Sequence, residues 1–268
     1  MDLSYIKEHW TKRVNDDRLS CINAWNSSAK DYIYDGSVNF ENNSFLKFMR
    51  DKVKFTSEMN VLDIGCGAGA YSVAVAPEVR KVVGVDFSPE MLKEAKSAAE
   101  RNGIGNAEFI RRDWYNCDEN EFKSQYDIVF AHTTPAISDY NSLMKMMYAS
   151  RKYCFLCMPA RRSDEILDSL RLMLGMKKPN TDESAAFIFD TVWLNGCNPE
   201  TVYENKTWNS RKTFDNAVTW YLGRLKEEKC LNEKEEESVI RFLSNVSING
   251  YVSETIKTTL VSFFWEFK

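Results

Sequence analysis

Between about residues 59 and 158, short runs of β-branched and apolar residues alternate with stretches whose apolar positions recur at helical spacing. The runs predict strands at 60–64, 81–86, 107–110, 126–131 and 153–158. The spaced stretches predict helices at 69–76, 89–102 and 140–150, with a short piece near 119–123. Ser88 is an N-cap with Pro89 at the first helical position, and Asn102-Gly103 is a stop signal. Such alternation means βαβ units, a parallel sheet, and right-handed crossovers that put helices on both faces. Outside this region the chain is helix-rich. Amphipathic pieces are expected at 25–34 and 43–52, then helices at 162–174 and 183–195. A strand at 201–208, helices at 214–228 and 233–245, and a final strand at 258–267 complete the pattern.

Composition narrows the picture. With 268 residues, 44% of them hydrophobic, the chain can fill one sizeable core and a cap. It has 35 basic and 39 acidic residues, and a net charge of −4 offers no general attraction for a polyanion. Nucleic acid is accordingly disfavoured as a partner, and the basic clusters RKYCFLCMPARR and IRRDW read as surface charge. No apolar run approaches the ~20 residues of a membrane span. The start, MDLSYIKEHW, lacks the apolar core of a secretory signal, so a cytoplasmic location and no membrane partner are expected. The seven scattered cysteines fit reduced thiols. Cys154 and Cys157 form the one CxxC, but on a strand residues three apart face opposite ways, so no metal site is expected. Oligomeric state leaves no signal.

The stretch VLDIGCGAGAYSVAVA, residues 61–76, puts Gly65, Gly67 and Gly69 at a strand-to-helix turn. Glycines there let the chain turn tightly and let a ligand approach the backbone. The spacing is GxGxG, not the GxGxxG of dinucleotide sites. Asp63 stands where a pyrophosphate would lie, which disfavours a nicotinamide cofactor and favours a cationic ligand. Asp86 ends the next strand, in VVGVDFS, where a carboxylate can accept both ribose hydroxyls.

In that order and at that spacing, VLDIGCGAGAYSVAVA, VVGVDFSPEMLKEAK and AEFIRRDWYN resemble the class I S-adenosylmethionine-dependent methyltransferases over about residues 59–158. The resemblance implies an α/β, Rossmann-like, seven-stranded and mostly parallel sheet with the last strand antiparallel. Helices would cover both faces, with a helical cap from the N-terminus and an insert after the fifth strand. It divides the chain into a lid at 1–45, a core at 46–160 and 197–268, and a cap insert at 161–196. The implied cofactor is S-adenosylmethionine. Gly65, Gly67 and Gly69 match the loop under its methionine and ribose part, with Cys66 inside that loop and Met91 opening the helix of the next unit. Asp63 matches the acid near the methionine ammonium, Asp86 the ribose acid, and Asp113 the acid that takes the adenine amine. Phe87 offers the adenine an apolar surface, and Trp114 flanks the ring.

The acceptor should meet the end of the fourth strand, in IVFAHTTPAISDY. His132 there is the candidate base or acceptor-orienting group beside the cofactor, with Thr133 and Thr134 as polar walls. Enzymes that methylate exocyclic amines of bases or protein glutamine usually carry (D/N)PP(Y/F) at this place, where this chain has AHTTPA. The segment SAKDYIYD resembles the lid of small-molecule enzymes, which makes Tyr32 the cap's candidate catalytic residue. Aromatics in both caps, among them Trp25, Phe187 and Trp193, suit the enclosure of a small acceptor. The expected function is therefore methyl transfer to a small molecule. The alternatives are an RNA or protein methyltransferase and a non-catalytic S-adenosylmethionine-binding protein.

Overall fold

The computed structural model describes residues 2–11 and 18–267. Residues 1 and 12–17 of the expected lid lie outside the described residues. Three N-terminal helices, α1 (Leu3–His9), α2 (Arg18–Ser28) and α3 (Ser44–Lys52), precede the sheet. Then come β1 (Asn60–Ile64), α4 (Ala70–Val75), β2 (Lys81–Asp86), α5 (Pro89–Arg101), β3 (Ala107–Arg111), β4 (Tyr126–His132) and α6 (Tyr140–Ala149). The chain ends with β5 (Ser150–Asp164), α7 (Glu165–Met173), α8 (Thr181–Leu194), β6 (Glu200–Thr213), α9 (Phe214–Lys226), α10 (Glu233–Val246) and β7 (Tyr251–Glu266).

The strands form one seven-stranded sheet in the order β3-β2-β1-β4-β5-β7-β6. β1 to β5 pair in parallel, and β7 runs antiparallel to both β5 and β6. This is the arrangement expected from the sequence. Central β1 is buried along almost its whole length, as a strand covered on both faces must be. Ser88 caps α5 by accepting the Met91 amide (3.1 Å), and Gly103 follows the helix at φ 66°.

The two faces of the sheet carry separate cores. One holds Leu62, Val83, Val129, Cys154, Leu156 and Phe263 beneath α1, α6 and α8. The other holds Val61, Val82, Ile128, Phe130, Cys157 and Phe264 beneath α3 and α4. Cys154 and Cys157 thus lie in opposite cores, as strand geometry requires.

Three strands run longer than expected. β5 continues to Asp164 through a bulge between Ala160 and Ser163, β6 reaches Thr213, and β7 starts at Tyr251. The result is a three-stranded wing beyond the ends of β1 to β4. A third core covers it, with Ile166, Leu167 and Leu170 of α7, Ala217, Tyr221 and Leu225 of α9, Val239 and Leu243 of α10, and Val252 of β7. The cap therefore divides differently from the expected 161–196 insert. Residues 162–164 are strand, α8 packs on the main core, and α9 and α10 join α7 over the wing.

Candidate functional site

The strand order reverses at β1 and β4, and in open α/β sheets ligands bind beyond the strand ends at such a switch point. The glycine loop lies there. Gly65, Gly67 and Gly69 sit at φ 67°, 51° and 81°, a region that a Cβ disfavours. The amides of Gly65 and Cys66 both donate to the Val85 carbonyl (2.8 and 3.1 Å), which ties the loop to the end of β2. A Cβ on Gly65 would stand 2.7 Å from Thr134 Cβ, and one on Gly69 would meet Ala95 of α5 at 2.8 Å. A Cβ on Gly67 would meet only Met91 Sδ, at 3.9 Å. The open face of the loop is therefore at Gly67.

Two buried acids support it. Asp86 accepts the Gly67 amide on Oδ2 (3.0 Å) and the Ser88 amide on Oδ1 (2.8 Å), so each oxygen keeps lone-pair capacity for a further donor. Burial pushes its carboxyl up to about 6 against the pull of those amides. Asp63 is 2% exposed and accepts the Ser72 hydroxyl at 2.6 Å. Burial lifts Asp63 to about 7, with the Ser72 bond opposing and the charge of Asp86 adding.

Past the ends of β2 and β3, Phe87, Arg111, Arg112 and Asp113 line a cavity of about 230 Å³ with Cys21 and Ile22 of α2. Asp113 accepts the Tyr115 amide (3.2 Å) and the Asn116 side-chain amide (2.7 Å). Trp114 is not part of this cavity. It is 3% exposed in the core, its indole N–H donates to the Ser142 carbonyl (3.2 Å), and its ring packs on Phe122. The side chain of Cys66 is buried in the core beside Gly84, with its thiol 3.7 Å from the Gly67 carbonyl, so it packs beneath the loop rather than on its open face. Met91 lies beneath the loop, 2% exposed, beside Ala29 and Ala68.

His132 ends β4 as expected, its ring 4.1 Å from that of Tyr71 and 4.9 Å from that of Phe45. Its Nε2 meets the Tyr71 hydroxyl (3.0 Å), which also accepts from the Asn43 amide (3.1 Å), and its Nδ1 meets the Thr133 hydroxyl (3.1 Å). Burial pushes His132 down to about 3, and the charge of Lys206 adds to that. The imidazole is therefore neutral, with both nitrogens held. Sequence reasoning passed over Tyr71 and Asn43. The signal for Tyr71 was its place as the second residue of α4, one turn from the strand ends.

The N-terminal segment closes over the loop. Ser88 donates to Asn26 Oδ1 of α2 (2.7 Å), and Ala29 packs on Ala68 and Met91 with Trp25 against it. α2 in turn seats on α9 where Gly223 leaves room for Ala24. The Trp25 indole nitrogen is buried and has no hydrogen-bond partner among the described residues. Tyr32 ends a 3₁₀ turn (Ala29–Tyr32) and is 48% exposed. Among the described residues its ring contact is with Trp25 at 6.2 Å, and none joins it to His132.

A family model described as "Methyltransferase domain" matches residues 55–237. A 23S rRNA (uracil(1939)-C(5))-methyltransferase of Pseudomonas aeruginosa is 38% identical over 72 residues, 27% of this chain and 16% of its own. A release factor glutamine methyltransferase of Fusobacterium nucleatum is 37% identical over 91 residues, 32% of this chain and 25% of its own. The chain thus spans a quarter or less of the length of either curated relative. Among solved structures, a phosphoethanolamine N-methyltransferase of Haemonchus contortus, in complex with phosphomonomethylethanolamine and S-adenosylhomocysteine, aligns with a TM-score of 0.50 at 16% identity. That alignment covers 90% of this chain and 57% of that one, and it speaks to the fold. An rRNA enzyme among the relatives leaves the sequence-based case against nucleic acid without support. Among the described residues no helix is long and apolar enough to cross a membrane.

Proposed function

The chain belongs to the class I S-adenosylmethionine-dependent methyltransferases, and from that premise we propose that its methyl acceptor is a small molecule. The site's residues fit the donor. The open cradle at Gly67 leaves room beside the backbone, Asp86 keeps acceptor capacity for ribose hydroxyls, and the cavity at Phe87 and Asp113 suits a flat purine with an exocyclic amine. Asp63 places a buried carboxyl beneath the loop, which burial keeps protonated until the pH approaches about 7 and which a cationic ligand would help to ionise. When bound, the donor supplies an electrophilic methyl on a sulfonium, so the protein's task is alignment and exclusion of water.

The neutral His132 and Tyr71 act together in this reading. Asn43 and Thr133 hold the pair at a fixed place beyond β4, where the Tyr71 hydroxyl orients the incoming acceptor. A nucleophile arriving as a neutral amine can lose its proton to water after transfer. Burial keeps His132 from taking a proton, so the pair orients the acceptor, and a nucleophile that is an acid must arrive already deprotonated.

The observation that carries the small-molecule reading is the closed lid: Asn26 bonded to Ser88 and Ala29 seated on the loop leave a roofed site. The test is incubation with methyl-labelled donor and two acceptor pools, low-mass cell extract and total RNA. Label in low-mass product is expected; label in RNA alone overturns the reading. RNA is kept as a second reading because an rRNA enzyme is among the relatives. That match spans 72 residues, the size of a cofactor-binding half, and so bears on the donor more than on the acceptor.

A further inference from the structure

We infer that the hydroxyl of Thr133 is the hydrogen-bond donor turned toward the methyl acceptor, at the end of a one-way relay that starts at the cap of α3 and runs through Tyr71 and His132. This deepens the methyl-transfer reading of the site and rests on it.

Asn43 sets the direction. As the N-cap of α3 its Oδ1 accepts the Leu46 amide (3.0 Å), which leaves its Nδ2 to donate to the Tyr71 hydroxyl (3.1 Å). That hydroxyl lies 3.0 Å from His132 Nε2, and His132 Nδ1 lies 3.1 Å from the Thr133 hydroxyl. A neutral imidazole carries one proton, so one ring nitrogen accepts and the other donates. Either Tyr71 donates to Nε2 and Nδ1–H donates to Thr133, or Thr133 donates to Nδ1 and Nε2–H donates to Tyr71. The first arrangement wins for two reasons. A phenol is a much stronger acid than an alcohol, so it makes the stronger bond to a basic ring nitrogen. The second arrangement would also have the phenol oxygen accept from both Asn43 and His132 while its own proton met no acceptor among the described residues. Tyr71 therefore accepts once and donates once, and His132 is protonated on Nδ1. The proton left over is that of Thr133, which meets no acceptor among the described residues.

The backbone puts that proton in the site. Thr133 is half-buried at the end of β4 and has φ 48°, a left-handed conformation that a β-branched residue rarely adopts. Its amide donates to the Cys157 carbonyl on β5 (2.8 Å), which holds the turn, and the turn brings the hydroxyl back onto the ring of the preceding residue. Strain of this kind persists where the surroundings over-determine it, and it clusters at functional sites. The next residue, Thr134, stands against the glycine loop, since a Cβ on Gly65 would come within 2.7 Å of Thr134 Cβ. Thr133 is thus one residue from contact with the cofactor cradle. Burial keeps His132 neutral, so the polarity of the relay does not reverse near neutral pH. Tyr71 then meets the acceptor through its remaining lone pair and Thr133 through its proton. A fixed donor selects an acceptor that offers a lone pair there, and it disfavours one that offers only a second donor.

The chain has two histidines, so nitrogen-15 labelling of histidine and NMR of the full chain resolve both rings, with His9→Asn to assign them. His132 should be neutral with its proton on Nδ1, the minor tautomer of free imidazole side chains. Tyr71→Phe removes the donor to Nε2 and should move the proton to Nε2. A proton on Nε2 in the wild type, or on both nitrogens near pH 7, overturns the inference. The second measurement is the initial rate of label transfer from methyl-labelled S-adenosylmethionine into low-mass cell extract. Thr133→Val keeps the branch and loses the hydroxyl, and should be slower tenfold or more. Thr133→Ser keeps the hydroxyl and should recover most of the rate. Unchanged S-adenosylhomocysteine affinity shows that each variant is folded. A wild-type rate in Thr133→Val, or equal losses in Thr133→Val and Thr133→Ser, overturns the role of the hydroxyl. Label in RNA alone would instead overturn the small-molecule reading and would leave the proton on Nδ1, so the two failures are distinct.

Discussion

Replacing Asp63 by Asn should change how stability depends on pH more than how stable the protein is. The carboxyl of Asp63 is 2% exposed and accepts the Ser72 hydroxyl at 2.6 Å. Burial lifts it to about 7, against roughly 3.9 in an unfolded chain. Between those two values the folded state holds a proton that the unfolded state has released. Stability therefore falls as pH rises from about 4 to about 7, and levels off above the folded value. Three units at about 1.36 kcal/mol each put the ceiling of this loss near 4 kcal/mol. At ~2–4 °C per kcal/mol for a chain of this size, that is a loss of at most about 8–16 °C in melting temperature.

The Asn variant removes the titration but keeps an oxygen for Ser72. Its N–H₂ group replaces a carboxyl oxygen in a buried site, and if left unpaired there it costs about 1–3 kcal/mol, with no titration of its own. Melting curves of the two proteins, without cofactor, from pH 4.5 to 8.5 therefore separate the effects. The variant should be the less stable at low pH, and its melting temperature should decline less toward neutrality. Parallel curves would mean that Asp63 is ionised throughout, and that the site pays no desolvation penalty for it.

Three further outcomes follow from the same geometry. Asp86→Ala removes the acceptor of the Gly67 and Ser88 amides, so S-adenosylhomocysteine should bind about 10–100-fold more weakly by calorimetry; unchanged affinity would refute the ribose role. Tyr71→Phe and His132→Ala should lower turnover while leaving cofactor affinity nearly intact. Because His132 is neutral in the folded protein, the wild-type rate should show no inflection near pH 6.5 that His132→Ala removes; such an inflection would contradict its depressed titration. Gly69→Ala should destabilise the fold by about 2–4 kcal/mol, combining left-handed strain with a clash on Ala95. Gly36→Ala, at φ 85° in open space, should cost only about 1 kcal/mol; equal losses in urea melts would show that crowding at α5 is absent.

The geometry of the glycine loop and its supports was legible because its determinants are local. The glycine loop, Asp86 at the end of β2 and the Ser88 cap each occupy a few consecutive residues whose geometry is set by their own neighbours. The parallel βαβ core followed from the alternation of strands with helices, and the seven-stranded sheet with its antiparallel last strand from the family resemblance. Trp114 was misplaced because an aromatic beside Asp113 reads the same whether it faces a ligand or the core, and only the contact with Ser142, far along the chain, distinguishes the two. Tyr32 lies on a 3₁₀ turn whose ring contact is with Trp25 and not with His132.

The acceptor half was illegible for a different reason. β6 is the edge strand, and its polar alternation, with intermediate and exposed residues in turn, reads as a short strand in a polar segment. Its length is set by pairing with β7 from Glu200 opposite Phe264 to Thr213 opposite Tyr251, a register that no window of either segment contains. The same is true of Arg162, which reads as one of a run of surface cations until the bulge, Asp164 and Trp208 turn it inward. Long-range pairing thus built the wing, while local signals built the glycine cradle. A scaffold divided in this way can change its acceptor by altering the wing's lengths and pairings without disturbing the loop that holds the donor.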